Sequence, residues 1–140
     1  MLFRFSTRRL TRFVDGLMAR YEKLGYKVQS DQGLGFFIDG KHVIFLYNPI
    51  EKSLVALVAD KDGYQDSESY APVACLYSAL GAQHKELEFL HSPITSKALE
   101  KQTLANYTAA LDAIFAAADS SKGIRSLIDA HKGHVHPFLH

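Results

Sequence analysis

The sequence predicts an α+β fold: an antiparallel meander of four to five strands packed against an N-terminal helix and C-terminal helices, in the order α-β-β-β-β-α-β-α-α. Three observations predict it. Apolar residues recur at helical spacing from Leu10 to Leu24, short β-branched and aromatic runs separated by turn residues fill positions 26 to 60, and helical spacing returns near residue 73 and dominates after residue 95. With 140 residues, 47% of them hydrophobic, the chain is long enough to bury one sizeable core, and no repeat or linker divides it, so residues 1–140 read as one domain.

The first helix is read from Leu10, Phe13, Val14, Leu17, Met18, Tyr21 and Leu24, which share one face; Ser6 or Thr7 can cap its start and Gly25 its end. YKVQ, GLGFFIDGKHVIFLYN and SLVALVAD then supply four strands, with SDQG, DG and NPIEKS as the turns between them. Asp39-Gly40 suits a two-residue type I′ hairpin turn. In the third strand Val43, Phe45 and Tyr47 alternate with His42, Ile44 and Leu46, so both faces are largely apolar, as in a central strand covered at least partly on its second face.

After the polar stretch DKDGYQDSES a helix starts near Ser69 to Pro72, carries Val73, Leu76, Tyr77 and Leu80 on one side, and closes at Gly81. Its other side is Ala74, Cys75 and Ala79, so it is expected to be wedged between elements or to pack against a second chain, which leaves a homodimer open. HKELEFLH, residues 84 to 91, alternates Leu87 and Phe89 against Glu86 and Glu88 and is read as a fifth strand, a short helix being the alternative. A long helix follows from Thr95 or Ser96 to about Ala118. Ser120 or Ser121 caps a last short one, with Ile124, Leu127, Ile128 and His131 on one face.

Charge and composition exclude more than they assign. A net charge of +1 with 22% charged residues demands neither nucleic acid nor an acidic substrate nor a membrane surface. No apolar run approaches the roughly 20 residues of a spanning helix. The one cysteine, Cys75, rules out an intramolecular disulfide, and a cytoplasmic location is expected. The opening MLFRFSTRRLTRF, with Arg4, Arg8, Arg9 and Arg12 and no acid before Asp15, has the composition of a transit peptide but fits better as the start of the first helix.

No motif places a catalytic group. HKELE lacks the adjacent glutamate of the zinc-protease HExxH, and DKDGYQDSE misses the glycine and final glutamate positions of a calcium loop. GLG at residues 33 to 35 opens a strand and not a helix, and no GxSxG occurs. Cys75, inside ACLYSAL, reads as packing.

Two groups remain as candidate sites. His131, His134, His136 and His140 lie within ten residues; His134 and His136 project to one side of an extended segment and could reach one zinc, with Asp129 as an orienting acid. A polar tail docked through Val135, Phe138 and Leu139 is the reading preferred, so no cofactor is expected unless that zinc is present. Arg8, Arg9 and Arg12 sit at the start of the first helix, where the dipole disfavours each cation by about 0.3–1 kcal/mol. Pairing with the acidic loop from Asp60 to Glu68 or with Glu51 would offset that, and so would an acidic partner protein.

The expected function is therefore a non-enzymatic protein-binding module, a small chaperone or adaptor or an immunity/antitoxin-type inhibitor, with a metal-binding protein or metal-dependent enzyme using the C-terminal histidines as the alternative. The amphipathic first helix, the Asp-Gly-punctuated meander and the helix after it, over about residues 6 to 80, resemble the pattern of small secretion chaperones. Small bacterial immunity and antitoxin proteins show comparable architectures. The resemblance implies a protein partner; the chain departs from it in charge, since those chaperones are usually acidic.

Overall fold

The computed structural model describes residues 3–60, 69–120 and 128. It begins with helix α1 (Thr7–Lys23), whose start is fixed by Ser6: the Ser6 hydroxyl accepts from the Arg9 amide at 3.2 Å. The end closes as a Schellman motif, the Gly25 amide donating to Glu22 O at 3.0 Å and the Tyr26 amide to Tyr21 O at 3.0 Å. Four strands follow as expected: β1 (Val28–Asp31), β2 (Gly35–Ile38), β3 (Lys41–Asn48) and β4 (Ser53–Asp60). Asp39 and Gly40 join β2 to β3 with φ of 41° and 77°, the left-handed pair a type I′ turn requires.

All pairings are antiparallel and the sheet order is β1-β2-β3-β4-β5, a meander with β3 at its centre. The fifth strand is a two-residue edge, β5 (Ala71–Pro72), immediately before α2 (Val73–Ala79). Proline suits that place, because an edge strand need not donate on its outer side. The expected strand at 84 to 91 is instead helix α3 (His84–His91). Two effects decide it. Leu87 and Leu90, three apart, are the buried pair, and the Glu86 carboxylate turns back to accept the Gln83 amide at 3.1 Å, satisfying a donor at the helix start. The alternation of Leu87 and Phe89 was the weaker signal.

Helix α4 (Lys97–Ser120) starts at Ser96, whose hydroxyl accepts from the Leu99 amide at 3.1 Å, and packs on α2 and α3. It also runs beside α1 in the same direction, since Arg9 meets Glu100 at 3.1 Å and Arg20 meets Asp112 at 2.6 Å. Beyond it, Ile128 is helical and buried in the same core; the rest of the expected last helix lies outside the described residues.

The core sits between one face of the sheet and the helices. Val43, Phe45, Leu54, Ala56 and Val58 from the sheet join Leu10, Val14, Leu17 and Tyr21 of α1 and Leu111, Ile114 and Phe115 of α4. Phe45 has an edge-on contact with Phe13 at 5.6 Å and with Tyr107 at 5.7 Å. Each large side chain so buried contributes about 1.5–3 kcal/mol. Residues 73 to 77 of α2 are all buried, Cys75 among them, and this helix is wedged between β4, α3 and α4. Burial pushes the Cys75 thiol up, away from thiolate chemistry.

Candidate functional site

Helices cover one face of the sheet; what lies on the other follows from the register. In β3, Phe45 and Val43 point to the helices, so His42, Ile44 and Leu46 point away. Their cross-strand partners on β4 are Ala59, Leu57 and Val55, and Phe37 of β2 stands beside His42. Beyond His42, the outer face of β3 and β4 is therefore apolar, from Ile44 and Leu57 to Leu46 and Val55. Among the described residues, Ile44, Leu46, Val55 and Leu57 are not in the core cluster. Leu46 is 49% exposed, Ile50 on the β3–β4 turn is 90% exposed, and Ile44, Val55 and Leu57 are half-buried. An antiparallel sheet with one face in water ordinarily alternates polar residues there. Here Gln29 and Asp31 of the edge strand β1 supply the polar side chains that the register assigns to this face beside His42.

At the β1 end of the face a polar cluster is built around His42, whose side chain is only 4% exposed. Its Nε2 lies 2.8 Å from Asp31 Oδ2 and its Nδ1 2.6 Å from the Tyr70 hydroxyl. A carboxylate only accepts, so Nε2 carries a hydrogen; in the neutral ring Nδ1 then accepts and the Tyr70 hydroxyl donates. The ring rests against Phe37 at 4.7 Å between centroids. Gly35 makes room for it, since a Cβ there would stand 3.3 Å from His42 Nε2 and 3.1 Å from Val43 O. Three separate strands and turns thus hold a carboxylate, an imidazole and a phenol in one line, next to an apolar strip.

The arginines expected to bind a partner are divided by the fold. Arg9 is engaged: it pairs with Glu100 at 3.1 Å, donates to Arg4 O at 3.3 Å and lies over the Phe3 ring at 5.5 Å. The acid that meets it is on α4, and not Glu51 of the β3–β4 turn. Arg8 and Arg12 are exposed on α1, on the helical side of the molecule and away from the outer face. A groove of about 470 Å³ opens beside the start of α1, lined by Arg4, Phe5, Leu34, Tyr47 and Pro49 among others. The candidate metal ligands His131, His134, His136 and His140 lie outside the described residues, as does the acidic stretch after Asp60. Among the described residues, no three His, Cys, Asp or Glu side chains gather as metal ligands, and no helix is long and apolar enough to cross a membrane.

The sequence alone marks neither the outer strip nor its polar end as a site. A signal for the strip was present in HVIFLY and SLVALVAD, two neighbouring strands apolar at both parities. His42 in an otherwise apolar run was a second signal. Its partners, 11 and 28 positions away, become visible only with the strand register. No family model, no curated protein and no solved structure matches this chain.

Proposed function

We propose that this chain is a non-enzymatic protein-binding module, of the chaperone, adaptor or immunity-inhibitor kind, that docks its partner on the outer face of the sheet. One observation carries the reading: Ile44, Leu46, Val55 and Leu57 make an apolar strip, flanked by the exposed Ile50, that is outside the core cluster formed by the described residues. Exposed apolar surface of this kind costs solubility, and covering it with a partner recovers about 25 cal/mol for each Å² removed from water. The strip holds no lysine or arginine, which favours a protein over a nucleic acid as the occupant. Arg8 and Arg12, exposed on α1 on the other side of the molecule, are the rival contact for an acidic partner.

Two double variants separate these surfaces. Leu46→Asp with Val55→Asp should abolish partner co-purification from the source cells while lowering the melting temperature by only a few degrees. Arg8→Glu with Arg12→Glu should leave the partner bound. The reverse pattern would move docking to α1, and a large loss of melting temperature in the first variant would make the strip part of the fold.

A further inference from the structure

The protein-binding reading makes no use of the buried imidazole at the end of the outer face. Several described tyrosines donate their hydroxyl to a group that cannot usefully take the proton. Tyr21 donates to the Asp112 carboxylate at 2.9 Å, Tyr77 to Glu86 at 2.6 Å, and Tyr107 to Leu54 O at 2.8 Å and Leu90 O at 3.2 Å. Each of these three hydroxyls is pushed above its ordinary value, Tyr21 and Tyr107 chiefly by burial and Tyr77 chiefly by its bond to Glu86. Tyr70 differs in kind, because its hydroxyl lies 2.6 Å from a ring nitrogen, which accepts from it in the neutral ring. An imidazole ordinarily holds a proton to a pKa of about 6.5 and a carboxylate to about 4, against about 10 for a phenol. An imidazole nitrogen is therefore a stronger base toward a phenol than a carboxylate or a carbonyl oxygen is.

The rest of the arrangement serves that transfer. Asp31 Oδ2, 2.8 Å from Nε2, fixes the ring with Nδ1 toward Tyr70 and balances the charge the ring gains when it takes the proton. The Phe37 ring lies against the imidazole at 4.7 Å, and the glycine at position 35 leaves the space the imidazole occupies. Tyr70 itself is half-buried, at the margin of the apolar strip and not inside the core.

We propose that Tyr70 is an imidazole-activated nucleophile and the site of covalent acylation by small activated esters or thioesters. The Tyr70 oxygen attacks the carbonyl carbon as its proton passes to His42 Nδ1. The tetrahedral adduct then collapses, the bond to the leaving oxygen or sulfur breaks, and that atom takes the proton from Nδ1. The products are an aryl ester on Tyr70 and a free alcohol or thiol, with no other reactant needed. Acylation at this place puts a new group on the rim of the outer face, where it would alter what docks there. Asp31 is a positioning residue in this step and His42 the base.

The test uses the whole chain with p-nitrophenyl acetate, the modified residues being located and timed by peptide mass spectrometry. Tyr47 is the internal standard, half-buried like Tyr70 but set beside Arg4 and Phe5. Tyr70 should acetylate at least tenfold faster than Tyr47. His42→Gln should bring the Tyr70 rate down to that of Tyr47, and Asp31→Asn should lower it severalfold, neither changing the rate at Tyr47. Asp31 is 37% exposed at its side chain, so its replacement keeps the question open to experiment even where His42→Gln does not fold. Equal rates at the two tyrosines, or a Tyr70 rate that Asp31→Asn leaves untouched, would overturn the assignment.

Discussion

Phe45 and Leu46 are neighbours on the same central strand, both large and both apolar, yet Phe45 is 1% exposed and Leu46 49%. Phe45 touches Phe13 and Tyr107 from two helices, while Leu46 faces Val55 across the sheet and, among the described residues, is outside the core cluster. The difference is one of parity alone: successive strand residues point to opposite faces. It teaches that hydrophobicity does two jobs in this sheet. On the inner face it holds the molecule together, and on the outer face it leaves Leu46 half exposed, which is the basis of the docking proposal.

The sharpest way to break this comparison is to truncate both residues. Phe45→Ala should cost about 3–5 kcal/mol in denaturant titration, because it opens a cavity among residues with no room to collapse. Leu46→Ala should cost less than about 1 kcal/mol, as befits a surface side chain. Comparable costs at the two positions would mean that the outer face is packed by the chain itself.

Gly35→Ala sharpens the polar end of the outer face. The new methyl would meet a backbone carbonyl oxygen at 3.1 Å and the clamped His42 ring at 3.3 Å, neither of which yields easily. A loss of about 1–3 kcal/mol is expected from such overpacking, together with a shift of the His42 ring signals in NMR. No change in either would show that the ring is not held as described.

Tyr107→Phe probes the inner face without a cavity. The hydroxyl bridges Leu54 O of β4 and Leu90 O of α3 from the long helix. Its removal should cost about 0.5–1.5 kcal/mol by thermal melting, since two carbonyl oxygens lose a donor. The smallest effect expected is at Glu86, away from both faces of β3. The Tyr77 hydroxyl and then the Gln83 amide hold the Glu86 carboxyl below its ordinary range. A lowered folded value means that this stability is fully present above the ordinary carboxylate pKa and is lost as pH falls through the folded one. Glu86→Gln should therefore flatten the acid limb of melting temperature against pH below about 4.3 and leave the neutral region almost unchanged.

How far the sequence reached depends on which interactions are local. α1, the Asp39-Gly40 turn, the four long strand segments and α4 were legible because caps, turn residues and periodicity all act within a few positions. Residues 84 to 91 misled because an eight-residue segment gives two or three apolar positions to either period, and the deciding bond from Gln83 to Glu86 begins outside it. β5 was hidden by its two-residue length. The outer face was half legible: the apolar parity of HVIFLY could be read, but which face the helices would choose could not. The Asp31–His42–Tyr70 cluster joins residues far apart in sequence, and the Arg9 partner on α4 is 91 positions away, so neither is written in any local pattern.

The outer face as a docking surface is the claim on which the functional account stands, and crosslinking tests it most directly. A photoreactive amino acid placed at Val55, in cells that make the chain at its natural level, should give one adduct with a second protein. That adduct should disappear when Leu46→Asp is added and persist when Arg8→Glu is added instead. Adducts confined to the chain's own residues, or an intermolecular adduct indifferent to Leu46→Asp, would contradict the account.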